Sequence, residues 1–166
     1  HAAVARSYLY QVSRRRSAFA KPYVWWVKEP LDLAAMRQAA AFFTGMHDFQ
    51  SFSDDDPDEK STEVLVEEVE LVEAGDLILV RVAGSHFIWK MVRRMVGVLV
   101  EVGRGGMKVD EVTALLTSAS GTPANSSRIG ANRPVYVAGL ERGVRPIGLW
   151  SISMILSTCS APRSRS

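Results

Sequence analysis

Apolar and polar residues alternate across residues 4–15, "VARSYLYQVSRR". Tyr8, Tyr10 and Val12 fall on one side, and Ser7, Leu9, Gln11 and Ser13 on the other. A period of two predicts a strand. "YVWWV" at 23–27 predicts a short extended or strand segment. The spacing then becomes helical. Leu33, Met36, Ala40 and Phe43 recur behind Asp32, a suitable N-cap, and Gly45 suits the stop, so a helix is expected over 33–44. "MHDFQSF" reads as a turn into an aromatic pair, Phe49 and Phe52, and 53–61 as a polar loop. "TEVLVEEVELVEAGDLILVRVAG" predicts a hairpin. Its first strand covers about 62–72, with Val64, Val66, Val69 and Leu71 as apolar positions. A turn near Ala74-Gly75-Asp76 leads to a second strand over 77–82.

"SHFIWKMVRRMVGVLVEVG", residues 85–103, projects as an amphipathic helix. Ile88, Met91, Val92, Met95, Val96, Leu99 and Val102 form one stripe, and Lys90, Arg94 and Glu101 form an opposite face expected to be solvated. Arg93 sits at the margin, with Trp89 a turn before it and Val96 and Gly97 a turn after. A guanidinium there either lays its stem along the apolar edge or pairs with a carboxylate or phosphate. The projection singles out Arg93 over Arg94 without giving it a task. Gly103, Gly105 and Gly106 end this helix, and Asp110 is expected to cap a short helix through Leu116. The order strand, helix, hairpin, helix, helix predicts an α+β fold: a mainly antiparallel sheet with helices packed on one face. No internal repeat is visible. From about Gly121 the periodicity is lost and the chain runs into a Ser/Arg end.

Composition adds limits rather than a function. The 166 residues suffice for one domain with a core, and 47% hydrophobic with 23% charged residues is ordinary for a globular protein. The net charge of +2 is unevenly spread. Arg6, Arg14, Arg15, Arg16, Lys21 and Lys28 make the first stretch basic, residues 54–76 are acidic, and Lys90, Arg93, Arg94, Arg104 and Lys108 are basic again. The two basic stretches form a phosphate-binding face if the fold joins them, and otherwise a mixed solvated surface. A single cysteine, Cys159, rules out an internal disulfide. No metal-ligand spacing and no apolar run of membrane-spanning length occur.

Motifs for other chemistries fall away. "GRGG" at 103–106 lacks the strand and lysine of a phosphate loop and reads as a helix stop. His47-Asp48 resembles half of a metal-hydrolase dyad with no second set. No Gly-x-Ser-x-Gly elbow surrounds a serine, and the acidic loop lacks EF-hand ligand order. Tyr8 and Tyr10 are core residues of a strand or, beside an arginine-bearing helix, platforms for a base.

Taken in order, "ARSYLY", "LDLAAMRQAAAFFTGMHDFQSF" and "SHFIWKMVRRMVGVLVEVG" resemble the C-terminal half of the tRNA pseudouridine synthase A family. The similarity covers roughly residues 1–120. Gly-x-His-Asp-Phe-x-Ser-Phe together with Phe-x-x-x-Met-Val-Arg-x-x-Val-Gly is its distinctive part. The resemblance implies a cytoplasmic, homodimeric isomerase that converts uridine to pseudouridine in the anticodon arm of tRNA, without metal or cofactor. An aspartate attacks as the N-glycosidic bond breaks, and the flipped uracil turns and rejoins through carbon. It further implies that Tyr8 stacks on the flipped base, that Phe87 and Ile88 line the uracil pocket, and that Arg93 pairs with the catalytic aspartate. Arg14, Arg15, Arg16 and Lys90 are candidates for holding the RNA backbone.

Two departures qualify this. The family's aspartate lies in an Arg-Thr-Asp-Ala-Gly type motif upstream of the Tyr8 strand. The chain opens at His1 with no such motif, and Asp32, Asp48, Asp54 to Asp56, Asp58, Asp76 and Asp110 all have the wrong context. The N-terminal half is therefore expected to be missing and this chain alone to be inactive. The family's closing Thr-Ala-Pro-x-Gly-Leu type segment is also absent. "NRPVY" at 132–136 admits codons that, shifted by one base, read Thr-Gly-Leu-Phe. Residues 1–120 are thus expected to form the C-terminal half of a catalytic domain. Residues 121–166 are expected to be an atypical tail: out of frame, disordered or divergent. The rival readings are a non-catalytic RNA-binding α+β module and a non-functional product of a broken gene.

Overall fold

The computed structural model describes residues 6–16, 23–53 and 61–117, and the backbone of 135–137. Strand β1 (Arg6–Ser13) and the short β2 (Trp25–Trp26) precede helix α1 (Leu33–Phe42). Strand β3 (Gly45–Asp48) leads through a 3-10 turn (Gln50–Phe52) to the hairpin of β4 (Glu63–Ala74) and β5 (Leu77–Gly84). Helices α2 (Met91–Gly103) and α3 (Val109–Thr117) follow, then β6 (Val135–Val137). The sheet order is β2-β1-β5-β4-β3, with β6 also paired to β1. All pairings are antiparallel except β1 with β2, so the α+β architecture expected from the pattern is the one found.

The alternation in β1 works as a switch between two sides of the sheet. Tyr10 and Val12 join Val80, Ile78 and Leu71 in the main core, together with Met36, Phe43, Met95 and Leu99 of the helical layer. Leu9 turns the other way and packs with Leu79, Val72, Ala74 and Leu77 in a small second cluster. In β4 the apolar positions change parity after Val66. A bulge between Val66 and Glu68 absorbs the change, so Val64, Val66 and Leu71 are all buried in the same core. The hairpin closes through Gly75 and Asp76, with Gly75 at φ +60, as a two-residue turn of matching twist requires. Glu63, Glu67, Glu68, Glu70 and Glu73 make β4 an acidic strand. Arg81 of β5 answers part of that charge by pairing with Glu68 and Glu70.

Several boundaries differ from expectation. Gly45–Asp48 is an edge strand rather than a turn, because its Gly-Met-His-Asp sequence borrows its pairing from β4. Helix α2 starts at Met91, not near residue 85, because Lys90 adopts a left-handed conformation at φ 63 and the ladder cannot run back through it. Asp110 is not a cap. The backbone N–H of Lys108 donates to the Glu111 carboxylate (3.1 Å), half of a capping box, and Asp110 lies exposed in the first turn. The acidic loop at 54–60 and Cys159 lie outside the described residues. So does the tail expected over 121–166, except for the backbone of β6.

Asp32 does cap α1. Its carboxylate accepts from the N–H groups of Ala34 (2.9 Å) and Ala35 (3.1 Å), and its own N–H donates to the carbonyl of Gly103 (2.7 Å), tying the start of α1 to the end of α2. Asp32→Ala should therefore cost about 1 kcal/mol of stability. Urea unfolding followed by circular dichroism would show it as a lower midpoint with an unchanged slope.

Candidate active site

The site begins where β5 ends. A Cβ on Gly84 would lie 2.7 Å from the Leu65 carbonyl oxygen and 3.2 Å from Cζ of Phe87, so only glycine lets the chain turn here. The next N–H, of Ser85, donates to that Leu65 carbonyl (3.0 Å). The turn sets the Phe87 ring edge-on against Tyr8 of β1, with centroids 5.0 Å apart and planes at 85°. Tyr8, Phe87 and Ile88 are each half-buried against the main core. Met91 N–H then donates to the Ile88 carbonyl (3.2 Å), closing a turn with Trp89 and Lys90 at its tip.

Arg93, in the first turn of α2, is half-buried, as its marginal place on the helix projection predicted. Its guanidinium donates a hydrogen bond to the phenol of Tyr10, the next residue along the core side of β1 from Tyr8. Burial drives the Tyr10 pKa above the ordinary 10.0, and the nearby Arg93 charge and hydrogen bond only partly offset that. Sequence reasoning offered Tyr10 as core or as a platform for a base, not as a partner of Arg93. Its alternation with Tyr8 placed it on the right side, but nothing local showed that its hydroxyl would meet Arg93.

Arg94 overturns its expectation. The wheel put it on a solvated face, yet it is 4% exposed. Its Nη1 donates to the carbonyl of Ser53 (2.8 Å). The reason is that α2 has almost no solvent face: every residue except Arg93 and Glu101 is buried. The 3-10 turn and Ser53 cover the side that the projection left open. Ser53 also donates its hydroxyl to the Trp89 carbonyl (3.0 Å), so one serine ties the turn at 88–91 to the start of α2. The Gly-x-His-Asp-Phe-x-Ser-Phe stretch is thereby accounted for structurally. Asp48 accepts from Gln50 N–H (2.9 Å) and the Thr62 hydroxyl (2.6 Å), shaping the turn. Phe49 and Phe52 are fully buried and pack edge-to-face at 5.7 Å. His47 bonds the Thr44 carbonyl (3.0 Å).

The other candidate basic residues are elsewhere. Arg14, Arg15 and Arg16 follow the far end of β1, roughly 20 Å along the strand from Tyr8. Arg14 pairs with Glu73, Arg15 lies 3.8 Å from Asp76, and Arg16 sits 5.4 Å over the Trp26 ring. Lys90, in contrast, is exposed beside Phe87 and Ile88 in sequence, at the start of α2. Arg14, Arg15 and Arg16 therefore do not join Lys90 around the Tyr8–Phe87 pair. Among the described residues, no group of three or more His, Cys, Asp or Glu side chains could hold a metal ion.

Two outcomes follow. Arg94→Ala should destabilise the fold by about 2–3 kcal/mol, since it strands a buried carbonyl and removes packing, whereas Arg93→Ala should cost about 1 kcal/mol. Parallel urea titrations would rank them. Tyr10, with its raised folded pKa, contributes stability that is fully present below its unfolded value near 10. That contribution is lost as pH rises through the folded value. Ultraviolet titration of tyrosinate should show one phenol ionising late, and later still in Arg93→Ala.

Residues 39–134 match the family model described as tRNA pseudouridine synthase. The chain is 43% identical over 118 residues to a tRNA pseudouridine synthase A of Syntrophotalea carbinolica, covering 70% of this chain and 47% of that protein. It is 40% identical over 125 residues to the Geobacter sulfurreducens protein of the same name, covering 74% and 51%. To that of Pseudothermotoga lettingae it is 38% identical over 110 residues, covering 66% and 45%. The chain spans about half the length of these relatives. A glycine-gated turn that sets Phe87 on Tyr8 and an arginine held by a buried tyrosine thus occur in a chain that belongs to the tRNA pseudouridine synthase family.

Proposed function

We propose that this chain is the uridine-binding portion of a cytoplasmic tRNA pseudouridine synthase acting on the anticodon arm. The observation that carries the reading is the convergence of Tyr8, Phe87 and Arg93 from β1, the turn after β5, and α2. A flipped uracil would stack on Tyr8, with Phe87 and Ile88 as its apolar walls. Arg93, steadied by Tyr10, would pair with the attacking carboxylate, hold it ionised and aim it at the sugar C1′. The C1′–N1 bond would break as the carboxylate bonds C1′; the uracil would turn, its C5 would displace the carboxylate from C1′, and C5 would lose its proton to solvent while N1 takes one up. No metal or cofactor takes part in this scheme.

The attacking carboxylate is supplied from outside the described residues. Asp32 is spent on capping α1 and Asp48 on the 3-10 turn, while Asp76 sits in the hairpin turn and Asp110 is exposed on the outer side of α3. Turnover therefore requires the portion of the relatives that this chain does not span, and the complete enzyme is a homodimer. The second reading, an RNA-binding module without catalysis, draws on the same occupied carboxylates.

The test is tritium release from tRNA carrying C5-tritiated uridine. The chain alone should release none. Joined to the N-terminal half of the Geobacter sulfurreducens relative, it should turn over, and Arg93→Ala should then lower the rate by on the order of 10²–10³-fold. Salt-sensitive tRNA binding with no turnover in the joined protein would favour the binding module instead.

A further inference from the structure

Three features of the turn at 88–91 run against the ordinary preferences of a stable fold. Trp89, at its tip, is 64% exposed, although a tryptophan is expensive to leave in water. Lys90 has φ 63 and is the one non-glycine residue with positive φ among the described residues. It fills the turn position where glycine is the natural occupant, and backbone strain of this kind gathers at functional sites. Finally, α2 has no acidic residue in its first turn and instead begins Lys90, Met91, Val92, Arg93, Arg94. No acidic side chain of that first turn offsets the positive end of the helix macrodipole, and Lys90 stands exposed there. The turn is nonetheless held firmly, by Met91 N–H on the Ile88 carbonyl and by the Ser53 hydroxyl on the Trp89 carbonyl.

An exposed indole beside an exposed lysine at a helix N-terminus matches the requirements of one kind of partner, a single-stranded nucleotide. Its base supplies a flat face for the ring and its phosphate an anion for the helix end. We propose that Trp89 and Lys90 bind the RNA nucleotide adjacent to the uridine held at Tyr8 and Phe87, the indole stacking on its base and the lysine and the start of α2 holding its phosphate. This rests on the reading of the Tyr8–Phe87–Arg93 pocket given above and adds a second nucleotide position to it. A flanking base stacked there keeps the loop splayed open while the target base is out. It also gives the site a grip on RNA that does not depend on the catalytic carboxylate.

The chain itself suffices for the test, with an anticodon stem-loop RNA as probe. Binding is followed by anisotropy of the labelled RNA and by tryptophan emission. The parent chain should bind with quenching of its emission. Trp89→Ala and Trp89→Leu should each lose about tenfold in affinity, whereas Trp89→Phe, which keeps an aromatic face, should retain most of it and lose the quenching. Lys90→Gly should melt no lower than the parent, because glycine suits φ 63, yet bind more weakly and with a salt dependence shallower by about one ion. Equal affinity of the parent, Trp89→Ala and Trp89→Leu would overturn the proposal while leaving the pocket reading intact. Unchanged RNA binding with loss of self-association in Trp89→Ala would also overturn it, assigning the ring to a protein contact. Absence of RNA binding by the parent chain would overturn this inference, while tritium release by the joined protein would leave the pocket reading standing.

Discussion

The arrangement around the site depends on one buried charge. Arg94 is carried into the interior by a helix that is covered on nearly every side, and a guanidinium cannot stay there without acceptors. The Ser53 carbonyl is one of them. Meeting it fixes the end of the 3-10 turn over α2, and the same serine's hydroxyl then fixes the carbonyl of Trp89. The segment carrying Phe87 and Ile88 is thus positioned from outside itself, by a residue more than thirty positions earlier in the chain. Arg93 points elsewhere because its neighbour has taken the inward role, and that leaves it at the boundary between core and solvent.

Gly84 supplies the complementary constraint. Where Arg94 pulls the loop onto the helical layer, the missing side chain at Gly84 lets the chain pass within bonding distance of the Leu65 carbonyl. The Phe87 ring lands on Tyr8 because both conditions hold at once. Tyr8 and Tyr10 are two residues apart on one strand and share its core side. One meets Phe87 and the other meets Arg93. A single strand thereby sets the spacing between the aromatic pair and the guanidinium.

Much of the scaffold was legible in the chain. The two faces of β1, the Asp32 cap and the β4–β5 hairpin follow from local alternation and turn chemistry. The bulge between Val66 and Glu68 was not drawn from those apolar positions, although their change of parity accompanies it. What could not be read required knowledge of neighbours. A helical projection assumes one wet side, and α2 has scarcely any, so Arg94 was misplaced. The strand at Gly45–Asp48 has no alternation of its own and exists only because β4 offers it an edge. The left-handed Lys90 defeated a projection that ran smoothly from Ser85. For the site, the resemblance nominated Tyr8, Phe87, Ile88 and Arg93, and the fold brings Tyr8 and Phe87 into contact. The tasks of Tyr10 and Ser53 arise from contacts between distant segments and have no local signature.

The acidic β4 strand carries a consequence for how a polyanion can approach. Glu63, Glu67, Glu68, Glu70 and Glu73 line one element, and Arg81 compensates only some of them. Nucleic acid drifting toward that flank meets repulsion. The effect is local and does not follow from the net charge of +2. Collisions on that flank are discouraged before any contact is made. Overall charge is a poor guide to such encounters. What counts is where the carboxylates stand.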